Sequence, residues 1–461
     1  MSKAKIKNSQ NHDSSDLHDD HDSTQKNQSN HMNQKNHSSD KWEIPSDWEV
    51  RNVGEICDFI VPGRNKPIFF DGEIPWITTP DLLNNSRVFK SKIDLKITKE
   101  EAKKIGSKIV PKDSVIMSCV GDLGLLSISG CEIVINQQLH AFIPHDRIDY
   151  RFLFFALSIQ KRYMERIATK TAVPYLNKDN CNSIPIFLPP LPEQTAIAQL
   201  LSTWDNAITK TQALIAQKEQ RKKWLMQNLL TGKMRLKIND ELGIINDELK
   251  KVNLKDVFKF IKSYSISREG LKITEDKNST YCIHYGDIHS LYENDFLDFA
   301  KQHNIPQLIN EISINETDYL KDGDIIMADA SEDYDGVGEA VEVCNLDNKK
   351  AIGGLHTIVL RGNSKIISPN YAAYLFSSEN VRNKLRKMAN GTSVYSVSKS
   401  TLHNLSLIIH NSLKEQTAIA QVLQAADKEI QLLKTKCGKL KEQKKGLMQQ
   451  LLTGKIRLKL N

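Results

Sequence analysis

No run of apolar residues in this 461-residue sequence approaches the roughly 18–20 needed to cross a bilayer. Nor does the N-terminus carry a basic stretch followed by an apolar one, so neither a transmembrane helix nor a secretory signal is expected. Seven cysteines lie scattered at positions 57, 119, 131, 181, 282, 344 and 437, and no two form C-x-x-C. An odd, dispersed set argues against a disulfide framework or a structural zinc site and fits a reducing cytoplasm. Catalytic signatures are also missing. There is no G-x-x-x-x-G-K-[ST] phosphate loop, no G-x-G-x-x-G, and no Asn-Pro-Pro-Tyr or Asp-Pro-Pro-Tyr run. Pro80-Asp81 begins a nuclease-like motif, but no acidic-x-lysine follows it on a strand. The expectation is a chain with no catalytic residue, no metal site and no cofactor of its own.

Large apolar side chains are scarce in residues 1–40, which are rich in His, Asn, Ser, Asp, Gln and Lys. Such a segment cannot bury enough surface to offset the entropy of ordering it, so a disordered tail is expected there. The acidic run Asp329–Asp335 reads as a solvated loop, with cation binding as the alternative.

What the sequence does contain is a repeat. Residues 193–237 match residues 415–459 without a gap at 23 of 45 positions. Glu193-Gln194-Thr195-Ala196-Ile197-Ala198-Gln199 returns as Glu415 to Gln421, Leu229 to Lys233 as Leu451 to Lys455, and Arg235-Leu236-Lys237 as Arg457-Leu458-Lys459. Positions spaced alternately four and three apart form a heptad seam in each copy. In the first they are Ile197, Leu201, Trp204, Ile208, Thr211, Ile215, Lys218, Lys222, Leu225 and Leu229. In the second they are Ile419, Leu423, Ala426, Ile430, Leu433, Cys437, Leu440, Lys444, Leu447 and Leu451. Two long helices are predicted, stopped by Gly232 and Gly454, and packed on each other as a coiled coil. The long connection between them permits either parallel or antiparallel pairing.

The intervening segments repeat more faintly. Val115-Ile116-Met117 parallels Ile325-Ile326-Met327, Leu139-His140 parallels Leu355-His356, and Thr171-Ala172-Val173 parallels Thr392-Ser393-Val394. Short strand-like runs and helical spacing around 149–167 and 370–389 make each half an α/β globule followed by a coiled-coil helix. The predicted organisation is a tail (1–40), a first globule (41–192), a central helix (193–237), a linker with a second globule (238–414) and a C-terminal helix (415–461).

Charge is unevenly placed. The first helical copy has eight Lys/Arg against three Asp/Glu, net +5; the second has ten against four, net +6; the chain as a whole is only +7, so everything else sums to −4. The globules are not generic polycations and would read a polyanion through a few placed side chains. Lys218–Lys223 and Lys439–Lys445 would either face DNA or be solvated.

Two variable globules, each followed by a near-identical helix bordered by Leu188-Pro189-Pro190-Leu191-Pro192-Glu193-Gln194 and Leu229-Leu230-Thr231-Gly232-Lys233-Met234-Arg235, resemble the specificity subunit of type I restriction-modification enzymes. Gly72–Leu82 is similar to that family's first target-recognition domain and Tyr285-Gly286-Asp287-Ile288-His289 to its second. His410-Asn411-Ser412-Leu413-Lys414 departs from the proline-rich approach to the helix. The resemblance implies an antiparallel coiled coil with a pseudo-two-fold repeat. It implies that each globule is a target-recognition domain reading one half of a bipartite site in double-stranded DNA, with the helices setting the gap. It further implies two docked methyltransferase subunits using S-adenosylmethionine, and two motor-nuclease subunits using ATP and Mg2+, in a bacterial cytoplasm.

Base-edge readers should be polar side chains on loops. The candidates are Arg64, Lys66, Thr78, Thr79, Gln137, Gln138 and His140 in the first globule, and His284, His289, Ser331, His356, Ser393 and Tyr395 in the second. Apolar seam packing does not account for the repeated polar helix ends, so Glu193, Gln194, Thr231, Gly232, Glu415, Gln416, Thr453 and Gly454 are expected to bind two copies of one partner. The rival reading is a coiled-coil scaffold without DNA binding.

Overall fold

The computed structural model describes residues 43–63, 65–82, 87–236, 249–274, 276, 279–292 and 295–459. The predicted tail (1–40), Arg64 and residues 237–248 lie outside the described residues. One compact unit begins at Pro45 and takes in two globules and two long helices.

The central helix, Leu191–Leu229, and the terminal helix, Leu413–Leu451, have 39 residues each, about 58 Å at 1.5 Å per residue. They start by different means. Pro192 stands in the first turn of the central helix, where a missing N–H costs nothing. The terminal helix has no proline there; Ser412 Oγ caps it, accepting from the Glu415 N–H at 3.4 Å. Both stop at glycines in the left-handed region, Gly232 (φ +69°) and Gly454 (φ +74°). Those glycines are also tightly packed: a Cβ at Gly232 would meet Leu249 at 2.6 Å, and one at Gly454 would meet Pro45 at 2.7 Å.

The helices run antiparallel, because ion-pair partners descend along the terminal helix as they ascend along the central one. Asp205 meets Lys444 (2.6 Å), Lys218 meets Glu429 (2.5 Å), Lys222 meets Asp427 (2.6 Å), and beyond the helix end Arg235 meets Glu415 (2.5 Å). None of the twenty predicted seam positions is exposed, and Ile197, Leu201, Ile419 and Leu423 are wholly buried. Lys218, Lys222 and Lys444 are thus used within the pair, whereas Lys223, Lys439, Lys441 and Lys445 are exposed.

The globules share one topology. The first has a five-stranded sheet in the order Cys57–Ile60, Leu139–Pro144, Val115–Ser118, Leu126–Ser129, Arg87–Val88. The second repeats that order with Phe258–Ile261, Thr357–Gly362, Ile325–Ala328, Ala340–Cys344 and Phe296–Asp298. In both, the first four strands pair antiparallel and the last pairs parallel. The central strands Val115–Ser118 and Ile325–Ala328 are buried at all four positions, which is why they read as continuous apolar runs. A helix follows in each half: Tyr150–Ser158, capped by Asp149, and Tyr371–Ser377, whose start rests on the buried Glu342 carboxylate accepting from Asn370 N and Ala373 N.

A smaller sheet completes each globule. Its core is a parallel pair, Ile74–Ile77 with Val134–Ile135 in the first half and Tyr281–Ile283 with Ala351–Gly353 in the second.

The strand register corrects one sequence parallel. His140 pairs with Met117, whereas Ile358 pairs with the equivalent Met327. The counterpart of His140 is therefore Ile358, and that of His356 is Gln138.

Candidate nucleic-acid interface

Parallel strands bring their C-terminal ends together, and both globules place polar groups there. In the first, the chain leaves Ile77 through a capping box: Thr78 N and Oγ1 donate to Asp81 Oδ2 at 2.8 and 2.7 Å. The neighbouring strand ends where Asn136 N donates to Ile77 O, and the turn that follows presents Gln137 and Gln138. Thr79 Oγ1 donates to Gln138 Oε1 at 3.1 Å. Thr79 and Gln138 are thus tied side by side, with Thr78 adjoining.

The second globule builds the same corner from other residues. His284 N donates to Asp287 Oδ2, and His284 Nδ1 accepts from Gly286 N, forming the equivalent capping box. Gly354 N donates to Ile283 O, matching Asn136 N on Ile77 O, and His356 follows. Tyr285 joins the group, its ring 4.6 Å from His284, 5.3 Å from His356 and 6.2 Å from His289. His356 Nδ1 lies 3.1 Å from Asp329. Ser331 and Tyr395 pair on adjoining strands, and Tyr395 packs edge-on against Tyr334. Five of the six second-globule candidates therefore share one region, and Ser393 is exposed on the loop just before Tyr395.

Their exposure divides them. His356 and Ser393 are open to solvent, and His289 and Tyr395 are half-buried. His284 and Ser331 are buried, and their side chains cap a helix and hold Asp333 N respectively; they position the others. His289 sits between two acceptors, Glu339 Oε2 at 2.7 Å and Ala330 O at 3.1 Å. Both ring nitrogens must donate there, so the imidazolium is favoured, and its pKa is raised chiefly by the Glu339 hydrogen bond.

In the first globule Lys66, Gln137 and Gln138 are exposed and Thr78 and Thr79 half-buried. Lys66 belongs to a different stretch, where Ile68 N is tied to Glu101. His140, unlike these, is buried: it is 2% exposed, with its ring 4.6 Å from Phe142 and 5.8 Å from Phe59. Burial pushes its pKa down to about 4, so it is a neutral core side chain. Sequence reasoning passed over Tyr285, although it opens the quoted Tyr285–His289 motif.

The repeated helix ends are not the outward surface expected of them. Glu193 and Gln194 are each 1% exposed, and Glu415 and Gln416 are buried likewise. Arg457 donates to both carboxylate oxygens of Glu193, at 3.1 and 2.6 Å, as Arg235 does to Glu415, at 2.7 and 2.5 Å. Gln194 bonds Asp149 N, Arg147 O and Pro189 O; Gln416 bonds Ser368 N, Ile366 O and His410 O. These residues lock each helix to its globule and to the other helix's end. Thr231 and Thr453 turn back onto Gln227 O and Gln449 O, and with Gly232 and Gly454 they are half-buried.

Among the described residues no helix is long and apolar enough to cross a membrane, and no group of three or more His, Cys, Asp or Glu side chains is disposed to hold a metal ion.

Comparison with known proteins agrees with this duplicated architecture. The chain is 26% identical over 424 residues to a type I restriction enzyme specificity subunit, MjaVIII, of Methanocaldococcus jannaschii, covering 88% of this chain and 93% of that one. It is 28% identical over 159 residues to the EcoR124I/EcoR124II specificity subunit of Escherichia coli, covering 32% and 39%. A solved structure described as underlying assembly and conformational transition of the type I restriction-modification system shares the fold, with a TM-score of 0.56, 14% identity and coverage of 90% and 100%. The S subunit from M. genitalium gives a TM-score of 0.50 at 13% identity, covering 90% and 97%. The sequence model of the type I restriction modification DNA specificity domain matches twice, at residues 45–219 and 246–442. The chain belongs to the family of type I restriction-modification DNA specificity subunits.

Proposed function

We propose that this chain is the address-reading subunit of a type I restriction-modification complex, in which each globule reads one half of a bipartite DNA target. The observation that carries this reading is the same polar corner, built from unlike side chains, at matching strand ends of two globules with one topology. A scaffold has no need of that combination: equal frames with unequal polar fillings are what two different half-sites require. In the first globule Thr78, Thr79, Gln137 and Gln138 are the readers, with Lys66 and Arg64 as flanking contacts. In the second they are His356, Ser393 and Tyr395, supported by His284, Ser331 and His289, whose two ring nitrogens are engaged by Glu339 and Ala330.

The antiparallel helices hold the globules apart and so set the spacer. Two methyltransferase subunits dock on the assembly and supply adenine methylation with S-adenosylmethionine; two motor-nuclease subunits supply ATP- and Mg2+-dependent translocation and cleavage. This chain contributes no catalytic group and works in the bacterial cytoplasm. With the helix-end carboxylates and amides turned inward, the docking surface is the outer face of the helix pair near its ends, with Thr231, Gly232, Thr453 and Gly454 at its margin.

The test is reconstitution with the cognate methyltransferase, followed by mapping of methylated adenines genome-wide. A two-part motif with a fixed gap is expected, as is a mass of two methyltransferases per chain. Absence of sequence-specific methylation would reject the reading.

A further inference from the structure

Each globule carries, directly after a helix, a tight loop whose tip is an exposed valine. In the first, Thr169 and Tyr175 close the loop: Thr169 N donates to Tyr175 O at 3.0 Å, and Tyr175 N donates back to Thr169 Oγ1 at 3.1 Å. Thr171 Oγ1 donates to Val173 O at 2.7 Å. In the second, Asn390 and Ser396 close it by exchanging backbone hydrogen bonds at 3.0 and 2.8 Å. Both loops are fastened to the strand-end loop of their globule, through Gly121 N on Pro174 O in one and Val397 N on Asp329 O in the other. Val173 is 56% exposed and Val394 54%. A single exposed valine is ordinary on a protein surface, but a closed loop that presents one at the same place in both halves is a shared feature of the two globules.

Charge says what it serves. Residues 161–178, the helix and loop of the first globule, carry five Lys/Arg against one Glu; residues 379–399 in the second carry the same, five against one. Arg382 is buried and Arg386 and Lys161 are held in ion pairs, but Arg162, Lys170, Lys387 and Lys399 are exposed, and because the chain outside the long helices otherwise leans acidic these are two local basic islands. The corner readers differ between globules, and Ser393 and Tyr395 flank Val394 on the second loop, whereas the closed loop itself, its exposed valine and its basic flank are shared. That shared element therefore serves what two unlike half-sites have in common, the sugar-phosphate backbone and the groove edge.

We infer that the two valine-tipped loops with their basic flanks are matched, sequence-independent grips on double-stranded DNA, the cations meeting phosphates and the valines packing on the groove edge beside the read bases. The inference rests on the DNA-reading function proposed above.

The test uses the complete methyltransferase complex and measures affinity for its target duplex and for a scrambled duplex across salt concentrations. Lys170→Gln and Lys387→Gln should each weaken binding on both duplexes and each lower the slope of log affinity against log salt by about one. Val173→Ser and Val394→Ser should each weaken both by about tenfold with the slope unchanged, the loss expected for an apolar side chain left uncovered. The methylated sequence should stay the same in all four. Undiminished affinity, or loss confined to the target duplex, overturns the inference; so does a loss that tracks weakened methyltransferase assembly by mass measurement, which would make the loops a protein contact. If the unaltered complex binds neither duplex, the DNA-reading function itself fails.

Discussion

Lys444 reaches across the helix pair to Asp205 at 2.6 Å, and its repeat counterpart Lys222 reaches Asp427 at the same distance. With the two Arg–Glu contacts at the helix ends, these are four charged identities of the repeat, Glu193, Asp205, Lys222 and Arg235 in the first copy, brought face to face with their counterparts by a pseudo-two-fold axis. The Lys444 side chain is only 6% exposed. Its stem lies along the seam, and its ammonium is 5.0 Å from the Phe155 ring.

Removing one partner of such a pair leaves a buried charge without compensation. Asp205→Asn should therefore destabilise the folded chain by about 3 kcal/mol. Adding Lys444→Met to Asp205→Leu should recover most of that loss, because two apolar groups need no desolvation. Denaturant unfolding of the single and double variants reads both numbers. Equal stability of Asp205→Asn and the unaltered chain would show the pair to be idle.

How far this was legible in the sequence varies by element. The seam was fully legible, since a heptad pattern depends only on apolar character. The repeated Glu193, Asp205, Lys222 and Arg235 were visible as identities, but an inward clasp and an outward surface look alike until the antiparallel register is known. Pairing His140 with His356 went astray for a related reason: a slip of two residues along a strand preserves the alternation of faces. The corner formed by Thr79 with Gln138, or Tyr285 with His356, depends on two strands lying parallel, which no local pattern announces.

Glu342 gives the second globule a pH signature. Burial pushes its carboxyl up to about 7, above the ordinary glutamate value of 4.5, despite the Asn370 and Ala373 N–H groups that favour its charge. Between those values the folded chain holds a proton that the unfolded chain releases, so stability falls as pH rises from 4.5 to 7, by roughly 3 kcal/mol. Glu342→Gln should flatten that slope in unfolding curves taken across the same range.

His140 gives the first globule the opposite signature. Its pKa is about 4 when folded and 6.5 when free, so the unfolded chain takes up the proton first. Stability contributed by neutral His140 is intact above pH 6.5 and is lost as pH falls toward 4. His140→Phe, which suits the aromatic stack, should remove that acid sensitivity and leave the methylated sequence unchanged. An altered half-site would restore His140 as a base reader.

Helix length should act as the ruler. Leu214 lies midway between Glu193 and Arg235, and Lys436 midway between Glu415 and Arg457. Seven residues inserted after each keep the seam in phase and move the globules apart by about 10 Å, or roughly three base pairs. Methylation mapping should return the same half-sites with a longer gap. Inserting into one helix alone should weaken the complex, because the two end clasps can no longer close together. An unaltered gap in the double insertion would separate spacer from coiled coil.

The glycines that end the helices carry a last consequence. Gly232 lies against Leu249, where the second globule begins, and Gly454 lies against Pro45, where the first begins. The Arg457 guanidinium fastens that second junction to Asp47 at 2.7 and 2.8 Å. Each helix end thus abuts the start of a globule, the central helix that of the second and the terminal helix that of the first. A permuted chain that starts at the second globule and joins residue 459 to residue 45 would keep both Arg–Glu clasps and both Lys–Asp pairs between the helices, and would differ in which globule is made first.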